Sequence, residues 1–484
     1  MPVLGAAAGG LSLVGAGTPS YWGDEAASVM SALRPLPSLV GELSRIDAVH
    51  GLYYLFLHFW VGLVGTSEFA VRAPSAVAAG VAVAGTGVLG SRLIGRTGGI
   101  VAALVLAVLP EMTRMAIEAR SYAFAVAAGV WLTVLLLRLA TRESRRVWWI
   151  AYGVGAALCV YLFLYLALLL VVHTVIMLVL RPPRASVRRW LLALAVALVL
   201  ATPMVLIALH QQGQISFLAR RDYATVRSVI VRQWFRTPLM AFVGWTLILG
   251  GAAVSVLRRR SVPRSINRGA VIALAWVVLP TAVLVAGNDW VHPMYNLRYP
   301  AFCLPGVAIA MAIGILHAAR FARDAGARRL VGFSLLIAVA GAAAPSFIAQ
   351  RGLYAKDGGS DLRQIAAAVR SHAEPGSGAA IVFDQTTKPS RRPRLALDLY
   401  PNSFTAVADV ALLASSVDRT RLWDQVAPLT SIEGRVTNYQ TIWAVEARGS
   451  TSTDLDVLRS LGYVVSETIH VHRTTLYELE KEPS

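Results

Sequence analysis

Long apolar runs separated by short basic stretches set the rhythm of this chain over its first 350 residues. "WLLALAVALVLATPMVLIAL" (190–209) and "LVGFSLLIAVAGAAA" (330–344) hold no charged residue at all. A helix needs roughly 20 apolar residues to cross a bilayer core, and many segments approach that length. The pattern predicts spans near 3–17, 51–66, 74–94, 98–113, 119–140, 147–163, 164–180, 190–209, 239–257, 270–287, 301–318 and 330–348. Beyond 350 the texture changes. Asp, Ser and Thr become frequent, and all three lysines of the chain lie there. "DLRQIAAAVRSH" (361–372) has helical spacing, while "AAIVFD" (379–384) and "TTLYELE" (474–480) have the character of strands. The expected architecture is mainly α, a polytopic membrane protein over 1–349 followed by a small α/β domain over 350–484.

Composition agrees with that division. The 484 residues are 56% hydrophobic and only 15% charged, against about a quarter charged in ordinary soluble domains. A net charge of +18 raises the question of nucleic acid, and its location answers it. Residues 138–146, 181–189, 258–268 and 320–329 hold 17 arginines and only two acids, Glu143 and Asp324. Basic clusters beside apolar helices are what the positive-inside rule expects of cytoplasmic loops. No folded basic module is present, so nucleic acid is not an expected partner. Cys159 and Cys303 lie inside apolar runs and predict no structural disulfide. The opening "MPVLGAAAGGLSLVGAG" lacks the basic leader of a signal peptide and is short for a span, which suggests a truncated or misassigned start.

With the four arginine clusters inside, 114–120, 210–238, 288–298 and the C-terminal domain fall outside. Arg92 and Arg96 then fall inside. Placing Asp24 outside requires an odd number of crossings between 26 and 91, whereas two candidates are present. The weakest is 51–66, about 16 residues long with a histidine inside it and another at its head. It reads as a tilted or juxtamembrane helix, unless a further crossing lies within 30–48.

Four stretches on the outer side could carry chemistry. "TPSYWGDEAAS" (18–28) places Asp24 and Glu25 side by side after the first apolar segment. Acids suit the positive end of a helix dipole, and one of them could equally act as a general base on an acceptor hydroxyl. "DAVHGLYYLFLHFW" (47–60) brings His50, Tyr53, Tyr54 and His58 to helical spacing, the tyrosines serving as interfacial anchors or as substrate contacts. His50, at the head of the segment, is the better site candidate of the two histidines, and neither has the spacing of a metal ligand. "EMTRMAIEARSYA" (111–123) mixes Glu111, Arg114, Glu118 and Arg120, with Glu118 and Arg120 expected to pair at a helix end or to line a site. In "NDWVHPMYNLRYPAFCLPG" (288–306), Arg298 and Tyr299 stand at the outer mouth of a span, where a guanidinium can grip phosphate through its fork of donors. Residues 217–236 add five more arginines, a basic wall facing an anionic lipid. No Gly-rich nucleotide loop follows a strand. An outward glycosyl transfer would therefore draw on a membrane-borne donor.

"WGDEAAS", "VHGLYYLFLHFWVGLVGTSEFAVRAPSA" and "EARSYA", in this order and spacing, resemble the protein-mannosyltransferase-like (family 39-like) branch of the GT-C glycosyltransferases. "LRYPAFCLPG" is similar to the Arg-Tyr segment before a late span of that family. The resemblance covers the first ~125 residues, then the membrane part loosely, and does not reach 350–484. It implies a GT-C fold of about 11–13 transmembrane helices and an inverting transfer of a sugar, commonly mannose, from polyprenyl phosphate to a glycan, lipid or protein acceptor in the cell envelope. On that resemblance Asp24 is the catalytic acid of the first outer loop (18–50), with Glu25 its neighbour. His50, Tyr53, Tyr54, Arg72 of "RAPS" and Glu118 are substrate-binding candidates. Arg298, Arg120 and Tyr299 are the donor-phosphate contacts. No cofactor or metal is implied. Where the family often has His-Pro-Pro-Leu, this chain has His50-Gly51-Leu52, which removes a rigid turn after His50. The competing class is a transporter or flippase of lipid-linked sugars, which predicts ionisable residues within several spans. A non-catalytic scaffold is a third, and leaves the acid pair and outer arginines without a common purpose.

Overall fold

The computed structural model describes residues 1–482 except 221, 222, 259, 291, 292, 375 and 377. The chain forms two compact units, and neither is continuous in sequence.

The first unit comprises Met1–Ala16, Asp47–Tyr53 and Arg72–Ala349 and is helical. Helices occupy the segments whose apolar runs predicted them: Tyr122–Thr141, Arg146–Leu162, Leu169–Leu180, Arg184–His210, Pro238–Leu257, Arg264–Trp290, Leu304–Arg320 and Ala325–Ala349. The stretch Glu68–Val108 is continuous in hydrogen bonding but contains Gly95 at φ 85° and ψ 165°, so it is two helices. Gly95 supplies the turn because a side chain is strained at that φ. The arms fold back on each other, bringing Gly90 against the Cα of Gly99. Among the described residues, seven helices are long and apolar enough to cross a membrane, Glu68–Val108 counted as one. Four shorter apolar helices accompany them. The chain is a multi-pass membrane protein.

Between apolar helices in lipid there is no hydrophobic force to draw them together, so small residues that allow close approach carry the packing. Gly153 lies against the Ala193 carbonyl, and Gly251 against the backbone of Gly314. The outer faces keep large apolar groups exposed, as Leu198, Val199, Leu206, Leu249 and Leu257 do. Such faces suit a hydrocarbon solvent. Inside the bundle, His173 is bonded on both ring nitrogens, to Thr133 Oγ1 at 2.9 Å and to the Tyr152 hydroxyl at 2.7 Å. It is a satisfied polar group within the spans. Cys159 and Cys303 are buried and unpaired with each other.

The second unit gathers Gly17–Ile46 and Tyr54–Val71 with Gln350–Ser484. Its sheet contains β1 (Ala379–Phe383), β2 (Val407–Asp409), β5 (Thr441–Ala447), β6 (Tyr463–His470) and β7 (Thr474–Lys481); β3 (Leu412–Ala414) and β4 (Gln425–Val426) form a separate antiparallel pair. The strand order is β2-β1-β5-β7-β6. β1 is parallel to both β2 and β5, while β7 is antiparallel to β5 and β6. β1 is buried along its whole length, as a strand covered on both faces must be. Val382, Ala444, Leu458 and Leu479 share a core on the sheet.

The assignment of 54–71 to this unit bears on the crossing count. Helix Gly51–Val64 has only 14 residues, too few for a bilayer core. Leu55, Phe56, Phe59 and Leu63 are exposed along it, as expected of a helix lying in an interface. Reading that helix as interfacial leaves one candidate span between Asp24 and Arg92. The "RAPS" segment is helical rather than a turn, since Pro74 lies inside the helix beginning at Glu68. Pro74 has no N–H for the Ala70 carbonyl four residues back. The Trp60 indole donates to that carbonyl instead, at 2.8 Å.

The close approach of the two arms gives the first test. Any side chain at Gly99 would collide with Ser91 and the Gly87 carbonyl, whereas Gly10 faces open space. Gly99→Leu should lower the unfolding temperature in detergent by several degrees, and Gly10→Leu should leave it unchanged.

Candidate functional site

In the first unit, the short helix Pro110–Met115 presents Glu111 and Arg114 one turn apart, at i and i+3. Glu111 is fully buried. Arg114 donates to it through two nitrogens, Nε at 3.1 Å to Oε2 and NH2 at 2.6 Å to Oε1. Its remaining NH1 donates to Glu118. Glu111 also accepts from Arg236 at 3.1 Å. Burial pulls the Arg114 guanidinium down, but Glu111 and Glu118 outweigh it and leave it above the ordinary arginine value, with Arg298 pulling the other way. Burial lowers Arg236, and repulsion from Arg114 adds to that, against the attraction of Glu111. Among the described residues, the cluster thus comprises two carboxylates and three guanidiniums within electrostatic reach, a net positive set suited to an anion.

Arg236 is set by its backbone. It has φ 61°, unusual for a residue with a side chain. It lies between a π-helical turn (Ser228–Arg232) and Thr237, whose hydroxyl accepts from Met240 N at 3.3 Å and caps the next helix. A second polar chain runs alongside: the Tyr295 hydroxyl donates to Gln233 at 2.6 Å, and Gln233 donates to Thr281 at 3.0 Å. Burial pushes Tyr295 up, and Glu111 reinforces the shift. Arg298 follows, half-buried, with its backbone N–H on Asn296 Oδ1 at 3.2 Å. Tyr299 stacks on Tyr165 with ring centroids 4.6 Å apart. Of the five arginines in 217–236, Arg221 lies outside the described residues.

His50 ends a 3-10 turn, Ala48–His50. The turn is fastened by two glutamines at the end of helix Arg184–His210: Gln214 accepts from Asp47 N and Gln211 from Ala48 N, both at 3.0 Å. Tyr53 is buried edge-on to Phe124, with centroids 5.8 Å apart. Arg72 is fully buried and donates to the Ala16 carbonyl at 2.8 Å. Ser75, one turn on, donates to the Glu118 carbonyl at 2.6 Å. Arg120 is buried. Glu118, just beyond the short helix, accepts from Arg114 four residues before it.

In the second unit, helix Gly23–Leu33 begins one residue before Asp24, so Asp24 and Glu25 occupy its first turn. The dipole reading of the pair is therefore met. Glu25 is fully buried, and Asp24 is half-buried. Tyr54 is fully buried in the same unit.

The sequence marked Arg236 only as one of five arginines in 217–236, and gave no sign of Gln211, Gln214 or Gln233, whose partners lie in distant segments. Among the described residues, no three His, Cys, Asp or Glu side chains converge in a way that could hold a metal ion.

Residues 52–207 match the family model for dolichyl-phosphate-mannose-protein mannosyltransferases. Tyr53, Tyr54, Arg72, Glu118 and Arg120 fall within that match; Asp24, Glu25, His50, Arg298 and Tyr299 do not. No curated protein matches the chain. In fold, the chain is similar to ArnT from Cupriavidus metallidurans bound to undecaprenyl phosphate, with a TM-score of 0.62 at 14% identity over 98% of this chain and 97% of that one. The apo state of the same ArnT gives 0.58 at 14% identity over the same shares. The expected GT-C-type fold is met over nearly the whole length.

The contrast within the cluster is testable. Removing one partner of a buried pair strands the other charge and costs about 3–5 kcal/mol, whereas a pair with a partly exposed partner contributes roughly 1 kcal/mol or less. Glu111→Leu should lower the unfolding free energy in detergent by the larger amount. Arg236→Ala, whose side chain is 37% exposed, should cost the smaller.

Proposed function

We propose, for a chain that has the GT-C fold and carries a mannosyltransferase family segment, that it is an inverting glycosyltransferase. It transfers a sugar, mannose first among the candidates, from polyprenyl phosphate to a glycan, lipid or protein acceptor. The observation that carries this reading is the net positive cluster of Glu111, Arg114, Glu118, Arg236 and Arg298 in a bundle of that fold. A lipid-linked donor has its phosphate at the membrane surface, and its leaving group is an anion. Fixed guanidiniums stabilise such charge as it develops, without reorganising at the moment of reaction. Glu111 serves by holding two of them in place.

In the reaction, the Asp24 carboxylate takes the proton of an acceptor hydroxyl. The acceptor oxygen bonds to the anomeric carbon from the face opposite the phosphate. The bond from that carbon to the phosphate oxygen breaks, and both electrons leave with polyprenyl phosphate. A β-linked donor gives an α-linked product. Arg298, Arg120 and Tyr299 are the proposed donor-phosphate contacts, to which Arg114 and Arg236 are added. His50, Tyr53, Tyr54, Arg72 and Glu118 border the sugar or hold its neighbours. The buried donation of Arg72 and the buried ring packing of Tyr53 favour the second role for those two.

The proposed orientation puts the four arginine clusters in the cytoplasm, with the site and 350–484 on the extracytoplasmic face. With helix Gly51–Val64 read as interfacial, the count of spans between Asp24 and Arg92 is odd, which accords with it. Passage of an intact lipid-linked sugar would call for ionisable groups along a path through the spans. His173, engaged on both nitrogens, gives that alternative little support.

Membranes carrying the protein, incubated with radiolabelled polyprenyl-phosphate mannose, should move label from lipid to acceptor. Asp24→Ala should lower the rate by about 10²–10⁴-fold, the usual worth of a general base. Wild-type transfer that survives Asp24→Ala would remove Asp24 from the role. The absence of transfer from any polyprenyl-phosphate sugar would remove the reaction.

A further inference from the structure

The helix bearing Asp24 is fastened at both ends by residues from the C-terminal part of the chain, all within the second unit. Before the helix, Ser20 N donates to the Leu353 carbonyl at 3.2 Å. Ser360 donates to the Tyr21 carbonyl at 2.6 Å. Arg363 donates to the Gly17 carbonyl at 2.9 Å and to the Thr18 carbonyl, while its backbone N–H bonds Ser20 Oγ at 3.0 Å. At the first helical residue, Gly23 touches the Ser390 carbonyl so closely that any β-carbon would collide with it. After the helix, Arg34 donates to the Ser416 carbonyl at 2.7 Å and to that of Arg421. Its Nε is 2.9 Å from Glu42, and Glu42 accepts from Ser31 at 2.8 Å.

Arg34 and Glu42 have no solvent-exposed side-chain surface. A buried ion pair is poor value as a source of stability, because desolvation offsets its attraction and an apolar replacement is often as stable. What such a pair does supply is a single geometry. Here it joins the two ends of the segment 31–42 to each other and both to the loop 416–421. Asp24 sits between this anchor and the one at Arg363.

We propose that residues 350–484 form a positioning module for the acid-bearing helix, with Arg34 and Arg363 as positioning residues that hold Asp24 in its catalytic pose. The proposal rests on the reading of Asp24 as general base. An error of about 1 Å in the placement of a reacting group can cost around 100-fold in rate. The module therefore acts on kcat, and binding of the donor is left largely intact.

The test uses the full chain in nanodiscs. Arg34→Met combined with Glu42→Leu removes both charges together and strands neither. It should lower kcat about 100-fold and leave KM for polyprenyl-phosphate mannose within about threefold, with the unfolding temperature little changed. A tether can then be added. A β-carbon at Gly41 would lie 3.3 Å from that of Thr420, close to the spacing of a disulfide. Gly41→Cys with Thr420→Cys in the double variant should restore kcat at least tenfold when oxidised, and reduction should abolish the gain. Trypsin cleavage after Arg45, which is exposed, should accelerate in the double variant and slow again on oxidation.

Unchanged kcat in the double variant, or a formed disulfide that restores none of it, would overturn the proposal while leaving the transferase reading in place. If the wild type transfers no sugar, that reading falls, and the catalytic role of the module falls with it. Cleavage at Arg45 then reports on the fastening alone: a rate unchanged by the double variant would overturn the fastening as well.

Discussion

Within hydrocarbon no water is available for a backbone amide or carbonyl, so every residue at that depth must satisfy these groups in its own helix. That constraint governs where this chain can keep chemistry. The spans are left with apolar side chains, glycines at contact points and a few internally satisfied polar groups, such as His173 with Thr133 and Tyr152. Irregular backbone, and the polar side chains it can aim, is displaced to the ends of the helices. The turn at Asp47–His50, the π-helical turn before Arg236 and the loop before Arg298 all lie at such ends. Side chains add to the backbone bonds that hold them, as Gln214 and Gln211 do at Asp47 and Ala48.

The Glu111 cluster shows how a low-dielectric setting makes a few charges decisive. A carboxylate without access to water is costly alone. It becomes tolerable when two guanidiniums meet it, and they in turn become fixed donors. The same economy recurs in the second unit, where Arg34 reaches two carbonyls and Glu42 at once. In both places arginine rather than lysine is used, and its planar fork allows one side chain to satisfy several acceptors.

The spans were legible because uninterrupted apolar length is a strong signal, and apolar helices occupy the segments read from the chain, several running past their ends. Local chemistry was legible too: Asp24 and Glu25 occupy a helix start, as their sequence suggested. Contacts between distant segments were not. Nothing in "EARSY" says that Glu118 meets Arg114, and nothing in "SALRPLP" says that Arg34 reaches the carbonyls of residues 416 and 421. The apolar run at 51–66 looked like a weak span. Its helix instead belongs largely with the second unit, because aromatic and apolar residues serve an interfacial helix as well as a crossing one.

The central claim, sugar transfer from a polyprenyl phosphate, is tested most directly by following both products of the purified protein in nanodiscs. The donor is a β-linked polyprenyl-phosphate mannose labelled with 13C at the anomeric carbon, and the readout is NMR. The account predicts that an α-linked mannoside and free polyprenyl phosphate appear in equal amounts. An intact donor that merely changes leaflet, with its anomeric signal unaltered, would contradict it.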